Sequence, residues 1–242
     1  MQSCSKNLTI TFNGEIYNHL ELRQELSKEK NIQWKSSTDT ETLLECIDHF
    51  GIKKTLSKLK GMFAFGLWDD KRKKLFLCRD RFGEKPLYYG WVDQKFVFSS
   101  ELKALKAMKN FDNKISSQAL FQYLECSFVP APLSIYEHIY KLSSGAMLEI
   151  NTKPPSTPLP IDKIDHINHQ SMSIQRWWRH DQYINNTADL SQQEGQDLVH
   201  QKLKDSVRSQ LISDVPLGCL LSGGVDSSLI ASIMQSESSQ PI

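Results

Sequence analysis

Seven residues near the end of the chain, Ser222-Gly223-Gly224-Val225-Asp226-Ser227-Ser228, restrict what it can fold into more than any other stretch. An apolar run, Pro216 to Leu221, precedes them, and a segment of helical composition, Leu229 to Gln235, follows. This order predicts a short buried strand, a glycine loop and a helix, the repeating unit of α/β domains. Glycines let a backbone approach an anion closely, and the N–H groups of a helix start point at it with the helix dipole behind them. Ser222, Ser227 and Ser228 add hydroxyl donors. No lysine follows the glycines, so the loop is not the GxxxxGK[ST] cradle of enzymes that cleave a γ-phosphate. A carboxylate beside a polyphosphate is repulsive unless a divalent cation lies between them, so Asp226 argues for Mg²⁺. Gly-Gly alone is more often a turn; in the full string every position has a phosphate-binding rationale.

Upstream, three regions separate by pattern. Residues 1–151 alternate α and β material. Leu8 to Phe12 predicts a strand ending at the turn signal Asn13-Gly14, and Asn18 to Lys28 has helical composition. Thr38-Asp39-Thr40-Glu41 reads as a capping box opening a helix with Leu43, Leu44 and Ile47 on its apolar side. Strands are predicted at Met62–Trp68, Lys74–Cys78, Leu87–Val92, Lys95–Phe98 and Met147–Ile150, with a helix at Ser116–Glu125. Residues 152–190 are Pro-rich, then polar, and read as a linker in which Trp177-Trp178 forms an anchor. Residues 191–242 resume order with a second capping box, Ser191 to Glu194, and a helix before the phosphate loop.

Charge and cysteine usage narrow the setting. A net charge of +1 gives no sign of nucleic acid or membrane-surface binding. No window approaches the roughly 18 apolar residues that span a bilayer, and Met1 to Leu8 lacks the apolar core of a signal peptide. Five scattered cysteines form neither a disulfide framework nor a CxxC site, which places the chain in a reducing cytoplasm.

Asn13-Gly14-Glu15 offers a side-chain amide donor, a backbone N–H and a carboxylate within one short stretch. Two N–H donors so close can stabilise an oxyanion formed on an amide carbonyl. Glu15, and Asp39 at a helix start, are carboxylates suited to gripping an α-ammonium group. Taken singly, Asn-Gly is more often a turn and a helix-start Asp more often a cap.

The wider text carries a resemblance. Phe12-Asn13-Gly14-Glu15-Ile16-Tyr17-Asn18, Thr38 to Glu41, Gly61-Met62-Phe63-Ala64-Phe65, Arg79 to Tyr89 and Ser100 to Leu105 occur in order, with Phe128 to Tyr136 after them. Together they resemble the glutaminase domain of glutamine-hydrolysing asparagine synthases (the asparagine synthetase B type), and the loop at Ser222 resembles the pyrophosphate loop of ATP pyrophosphatases. The resemblance implies an α+β N-terminal-nucleophile sandwich, incomplete in its first strands, followed by the start of an α/β adenine-nucleotide-binding ATP-pyrophosphatase domain. It assigns Asn13 and Gly14 to the oxyanion hole, and Asn13, Gly14, Glu15 and Asp39 to glutamine. Ser222, Gly223, Gly224, Asp226, Ser227 and Ser228 fall to pyrophosphate and Mg²⁺, and Leu220 or Leu221 to adenine or ribose. Arg79-Asp80 falls to loop structure.

The same resemblance implies substrates glutamine, aspartate and ATP, with ammonia passed to β-aspartyl-AMP. It also implies a nucleophilic cysteine and a glutamine-gripping arginine ahead of the Asn13 block, which have no counterpart here. Cys4, nine positions before Asn13 and leading into the same strand, does not supply their geometry. The expectation is therefore a fragment, inactive alone. A different acid acceptor, and a non-enzymatic remnant that pairs with a complementary synthetase polypeptide, are the alternatives.

Overall fold

Alternating apolar residues build the larger of two sheets. In β1 (Leu8–Ile16), Leu8, Ile10 and Ile16 turn to one face; Phe63, Phe65 and Leu67 of β2 (Gly61–Asp69) and Phe76 and Cys78 of β3 (Lys74–Arg79) join them. Three helices cover that face: α1 (His19–Glu29), α2 (Asp39–Phe50) and α3 (Ile52–Lys58), contributing Leu22, Leu26, Leu43, Leu44, Ile47 and Leu56. The structure, a computed structural model, describes residues 1–151, 154, 168–169, 171–184, 189–213, 215–238 and 241–242. The chain divides into two units, Met1–Arg179 and His180–Ile242.

The opposite face of the large sheet packs on a second, three-stranded sheet made of β4 (Tyr88–Val92), β5 (Lys95–Ser99) and β6 (Ile139–Lys141) in the order β5-β4-β6. Ala64, Leu77 and Leu148 meet Tyr89, Trp91, Phe96 and Phe98 between the layers. Gly66 is the fitting point: a Cβ there would lie 2.6 Å from the Phe98 ring. The outer face of the small sheet carries α4 (Leu102–Lys106), which packs Leu102 and Leu105 against Val92 and Ile139. Two sheets thus lie between helices, and α5 (Ser117–Cys126) follows with Phe121 and Leu124 exposed.

Several elements differ from the sequence reading. β1 does not turn at Asn13-Gly14 but continues to Ile16, because β2 runs antiparallel beside it and pairs Gly14 with Phe63. The Thr38 cap forms, with its hydroxyl accepting from Glu41 N at 3.3 Å, but the Glu41 carboxylate does not close the box. It reaches on to the N–H groups of Lys35 and Ser36 at 2.8 and 2.7 Å.

Strands also occur inside the stretch read as linker. After β7 (Ala146–Asn151), β8 (Asn168–His169) and β9 (Met172–Arg176) extend the sheet to the order β1-β2-β3-β7-β9-β8. Met172 and Ile174 are buried against the second sheet, which gives those two residues a reason to be apolar. The Pro-rich run 155–160 lies outside the described residues. Trp177 stacks on Phe63 at 6.1 Å, with the Arg81 guanidinium 5.1 Å from its ring, and Trp178 meets Phe82 edge-on at 5.1 Å.

The second unit holds α6 (Gln192–Gln210), opened by the complete Ser191/Glu194 capping box, and α7 (Val225–Glu237). Glu237 joins them through Lys204 at 3.0 Å and Arg208 at 2.6 Å. Pro216–Leu221, expected as a buried strand, hydrogen-bonds to no strand among the described residues, and Leu220 and Leu221 are 97% and 64% exposed. A strand exists only where a neighbour takes its N–H and C=O groups.

The bend after β3 is tied by two side chains. Fully buried Asp80 accepts from the N–H groups of Phe63 (3.2 Å), Phe82 (3.1 Å), Glu84 (2.9 Å) and Lys85 (3.0 Å). Arg79 donates to the carbonyls of Lys85 (2.7 Å), Leu142 (2.6 Å) and Gly83 (2.5 Å). Asp80→Asn replaces an acceptor with an NH₂ group facing N–H donors, so unfolding in urea is expected to show a loss of roughly 3 kcal/mol with an unchanged m-value. A loss below about 1 kcal/mol would mean that the knot does not hold the bend.

Candidate functional site

β1 is an edge strand, and its open edge has a fixed parity. Ile10 N–H bonds the Met1 carbonyl at 2.8 Å and Ile16 N–H bonds Asp39 Oδ2 at 2.9 Å, while Tyr17 N–H turns the other way to Lys60. Even-numbered residues of β1 therefore direct their N–H groups away from β2, and Gly14 is one of them. Glycine is required there: φ is +151°, and a Cβ would lie 2.1 Å from the Met62 carbonyl oxygen. The side chain of Asn13 lies on the face toward the second sheet, where Nδ2 donates to Ser100 Oγ at 3.0 Å. Asn13 borders a cleft of about 390 Å³, lined also by Ala64, Gly66, Phe98, Ser100 and Glu101 among others.

Asp39 sits on the same edge, two residues along from Gly14. It is the first residue of α2, where the helix dipole favours a carboxylate. Its Oδ2 takes Ile16 N–H and its Oδ1 takes the Thr40 hydroxyl at 3.2 Å. Arg23 braces this helix start, donating to the carbonyls of Ser36 (2.8 Å) and Thr38 (3.2 Å) and to Thr42 Oγ1 (3.1 Å). One turn before Arg23 on α1 stands His19, whose Nδ1 is buried without a hydrogen-bond partner. Burial pushes the imidazole below its ordinary pKa; Asp39 opposes that shift and Arg23 adds to it.

Glu15 is exposed and shares the face of Asn13 and Tyr17. The Tyr17 phenol is pushed up to about 12, first by burial and then by Glu84, Glu15 and Asp80. Burial, then Asp80, also raises the Glu84 carboxyl. Glu15 and Glu84 thus both act on Tyr17. Nothing in the sequence around Glu84 or Ser100 signals that either acts on β1 or the turn after it.

Cys4 stands apart from Asn13. Its N–H donates to Glu45 Oε1 at 2.6 Å, on the helix-covered side of the sheet, and burial followed by Glu45 raises its thiol pKa. A thiol that ionises less is a weaker nucleophile. No cysteine among the described residues lines the Asn13 cleft.

In the second unit, the glycine loop stands at the start of α7. Gly223 has φ +81° with open space where a Cβ would be, and Gly224 caps the helix without any side-chain cap. Ser227 and Ser228 donate to the Gly224 carbonyl at 3.1 and 2.8 Å, and the hydroxyls of Ser222 and Ser227 are 2.9 Å apart. Asp226 is exposed in the first turn. Among the described residues no group of three or more His, Cys, Asp or Glu could hold a metal by itself, and no helix is long and apolar enough to cross a membrane.

Comparison with known proteins adds a second line. Residues 1–158 match the glutamine amidotransferase domain family and residues 198–242 the asparagine synthase family. Asparagine synthetase (glutamine-hydrolysing) 1 of Bacillus subtilis is 36% identical over 224 residues, covering 93% of this chain and 32% of that protein. The same organism's asparagine synthetase 3 is 32% identical over 238 residues, covering 93% and 33%. A Methanocaldococcus jannaschii protein is 34% identical over 233 residues, covering 95% and 40%. The chain spans between 32% and 40% of the length of these relatives.

Two outcomes follow from the geometry. With His19 neutral in the fold, its contribution is full above about pH 6.5 and is lost as pH falls through its lower folded value. His19→Gln should therefore show a smaller drop in melting midpoint than wild type between about pH 7 and pH 5; equal drops would exclude His19 as the titrating group. Ammonia release from glutamine by this chain should equal that of a Cys4→Ala control, and a higher wild-type rate would place Cys4 in the chemistry.

Proposed function

Because the chain belongs to the glutamine amidotransferase domain family, in its asparagine synthase form, we propose that its first unit binds glutamine at the open edge of β1. Asn13 Nδ2 and Gly14 N–H receive the side-chain carbonyl oxygen, and Glu15 with Asp39 receives the α-ammonium group. The observation that carries this reading is the shared edge. Strand parity turns Gly14 N–H to the open edge, and Asp39 is held by the next outward N–H, that of Ile16, at 2.9 Å.

Donors fixed in place before the ligand arrives stabilise negative charge on a carbonyl oxygen without having to reorganise. Binding glutamine and polarising its amide are the steps assigned to these residues. In the whole protein they would prepare ammonia for an acid activated by ATP, giving asparagine from aspartate through β-aspartyl-AMP. The name of the Bacillus subtilis relative supports that direction.

For the nucleotide, the uncapped start of α7, the open space at Gly223 and three hydroxyls fit a pyrophosphate group held by Ser222, Gly223, Gly224, Ser227 and Ser228. Asp226 would take Mg²⁺ jointly with phosphate oxygens, since Mg²⁺ is commonly bound by one or two carboxylates plus phosphates. Exposed Leu220 and Leu221 are available to adenine or ribose. We assign the chain to the cytoplasm on its scattered thiols, all five free.

Calorimetric titration with L-glutamine tests the central claim. Wild type should bind saturably, and Asn13→Ala and Asp39→Asn should each weaken binding by about tenfold, the loss of roughly 1.4 kcal/mol. Absence of saturable binding, or variants indistinguishable from wild type, would remove this assignment.

A further inference from the structure

The link between β5 and α4 brings a polar side chain to the proposed glutamine site. Ser100 lies between β5 and α4, and its Oγ takes a hydrogen of the Asn13 amide at 3.0 Å, across 87 positions of sequence. Its place is set by structure on both sides. Ser99, before it, pairs with Tyr88 in the small sheet, and Glu101, after it, is the N-cap of α4, with its N–H donating to Ser99 Oγ at 3.2 Å. Asn13 is placed by the large sheet, through its pairing with Ala64. Two independently held backbones therefore meet through one hydrogen bond at the wall of the cleft that both residues line.

We propose that Ser100 is a positioning residue of this site: its hydroxyl oxygen holds one hydrogen of the Asn13 amide and so directs the other toward the bound amide carbonyl. The inference rests on the glutamine reading above. An asparagine carries two amide N–H hydrogens, and its side chain rotates among several χ1 and χ2 settings. A single anchored hydrogen stops that rotation before substrate arrives, so the second donor is preorganised and its ordering cost falls outside the binding step. Ser100 acts through Asn13 and is not itself assigned to the substrate.

The test combines glutamine titration with NMR of the Asn13 side-chain amide. Ser100→Ala should weaken glutamine binding by about three- to tenfold, the range of one neutral hydrogen bond. Ser100→Thr, which keeps the hydroxyl, should restore binding to within about twofold. In an Asn13→Ala background Ser100→Ala should have no further effect, because the partner through which it acts is gone. In ligand-free protein, Ser100→Ala should shift the Asn13 NH₂ resonances while leaving the melting midpoint in place.

Unchanged binding and unchanged Asn13 resonances in Ser100→Ala would overturn the proposal. So would effects that add fully in the double variant, which would place Ser100 on the ligand or in the fold. If wild type fails to bind glutamine, the function reading fails, while the Asn13 resonances still show whether Ser100 holds the amide.

Discussion

The first unit depends on a close approach of two backbones at Gly14. There β1 and β2 run so near each other that a single added carbon would meet the Met62 carbonyl at 2.1 Å. That approach keeps β1 in register with β2 through Ile16, beyond the point where Asn-Gly would normally turn a chain. Register then decides everything polar nearby. Even residues send their N–H groups to the open edge, and odd residues send their side chains toward the second sheet. A slip of one residue would exchange those two sets, turning Asn13 into the helix-covered core. The donor pair is a consequence of strand parity as much as of residue type.

How far the sequence reveals this differs from element to element. β2, β3, β4, β5 and β7 were legible because each alternates or runs apolar between turn signals, and α6 because Ser191 and Glu194 state its start. β6, β8 and β9 were not: they have three, two and five residues, and owe their strand character to the partners they reach, Tyr88–Gly90 for β6 and β7 for β9. Pro216–Leu221 errs in the opposite direction. Its apolar composition is that of a parallel core strand, yet composition supplies no neighbour, and its leucines remain exposed among the described residues.

The candidate site divides in the same way. Asn13, Gly14, Glu15 and Asp39 could be named from local text, since each sits in a short motif with its own chemistry. Ser100 and Glu84 could not, because what they contribute is proximity. Ser100 reaches Asn13 only after the sheets stack, and Glu84 influences Tyr17 only after Asp80 has tied three N–H groups of the bend that follows β3 to that of Phe63 in β2. Such residues are read from a fold, not from a motif.

Electrostatics gives the two carboxylates of the site unequal parts. Asp39 has both oxygens engaged, one by Ile16 N–H and one by the Thr40 hydroxyl, and stands at a helix start whose dipole favours its charge. It is rigid, and its charge is already partly balanced. Glu15 is exposed and, second to burial, acts with Glu84 and Asp80 to raise the Tyr17 phenol pKa. In the proposed site, exposed Glu15 would meet an arriving ammonium group from solvent, while Asp39 would meet it already held by Ile16 N–H. A ligand with an α-ammonium and a side-chain carbonyl would use both carboxylates together with the outward N–H of Gly14, and a ligand lacking either group would leave part of the proposed site unsatisfied.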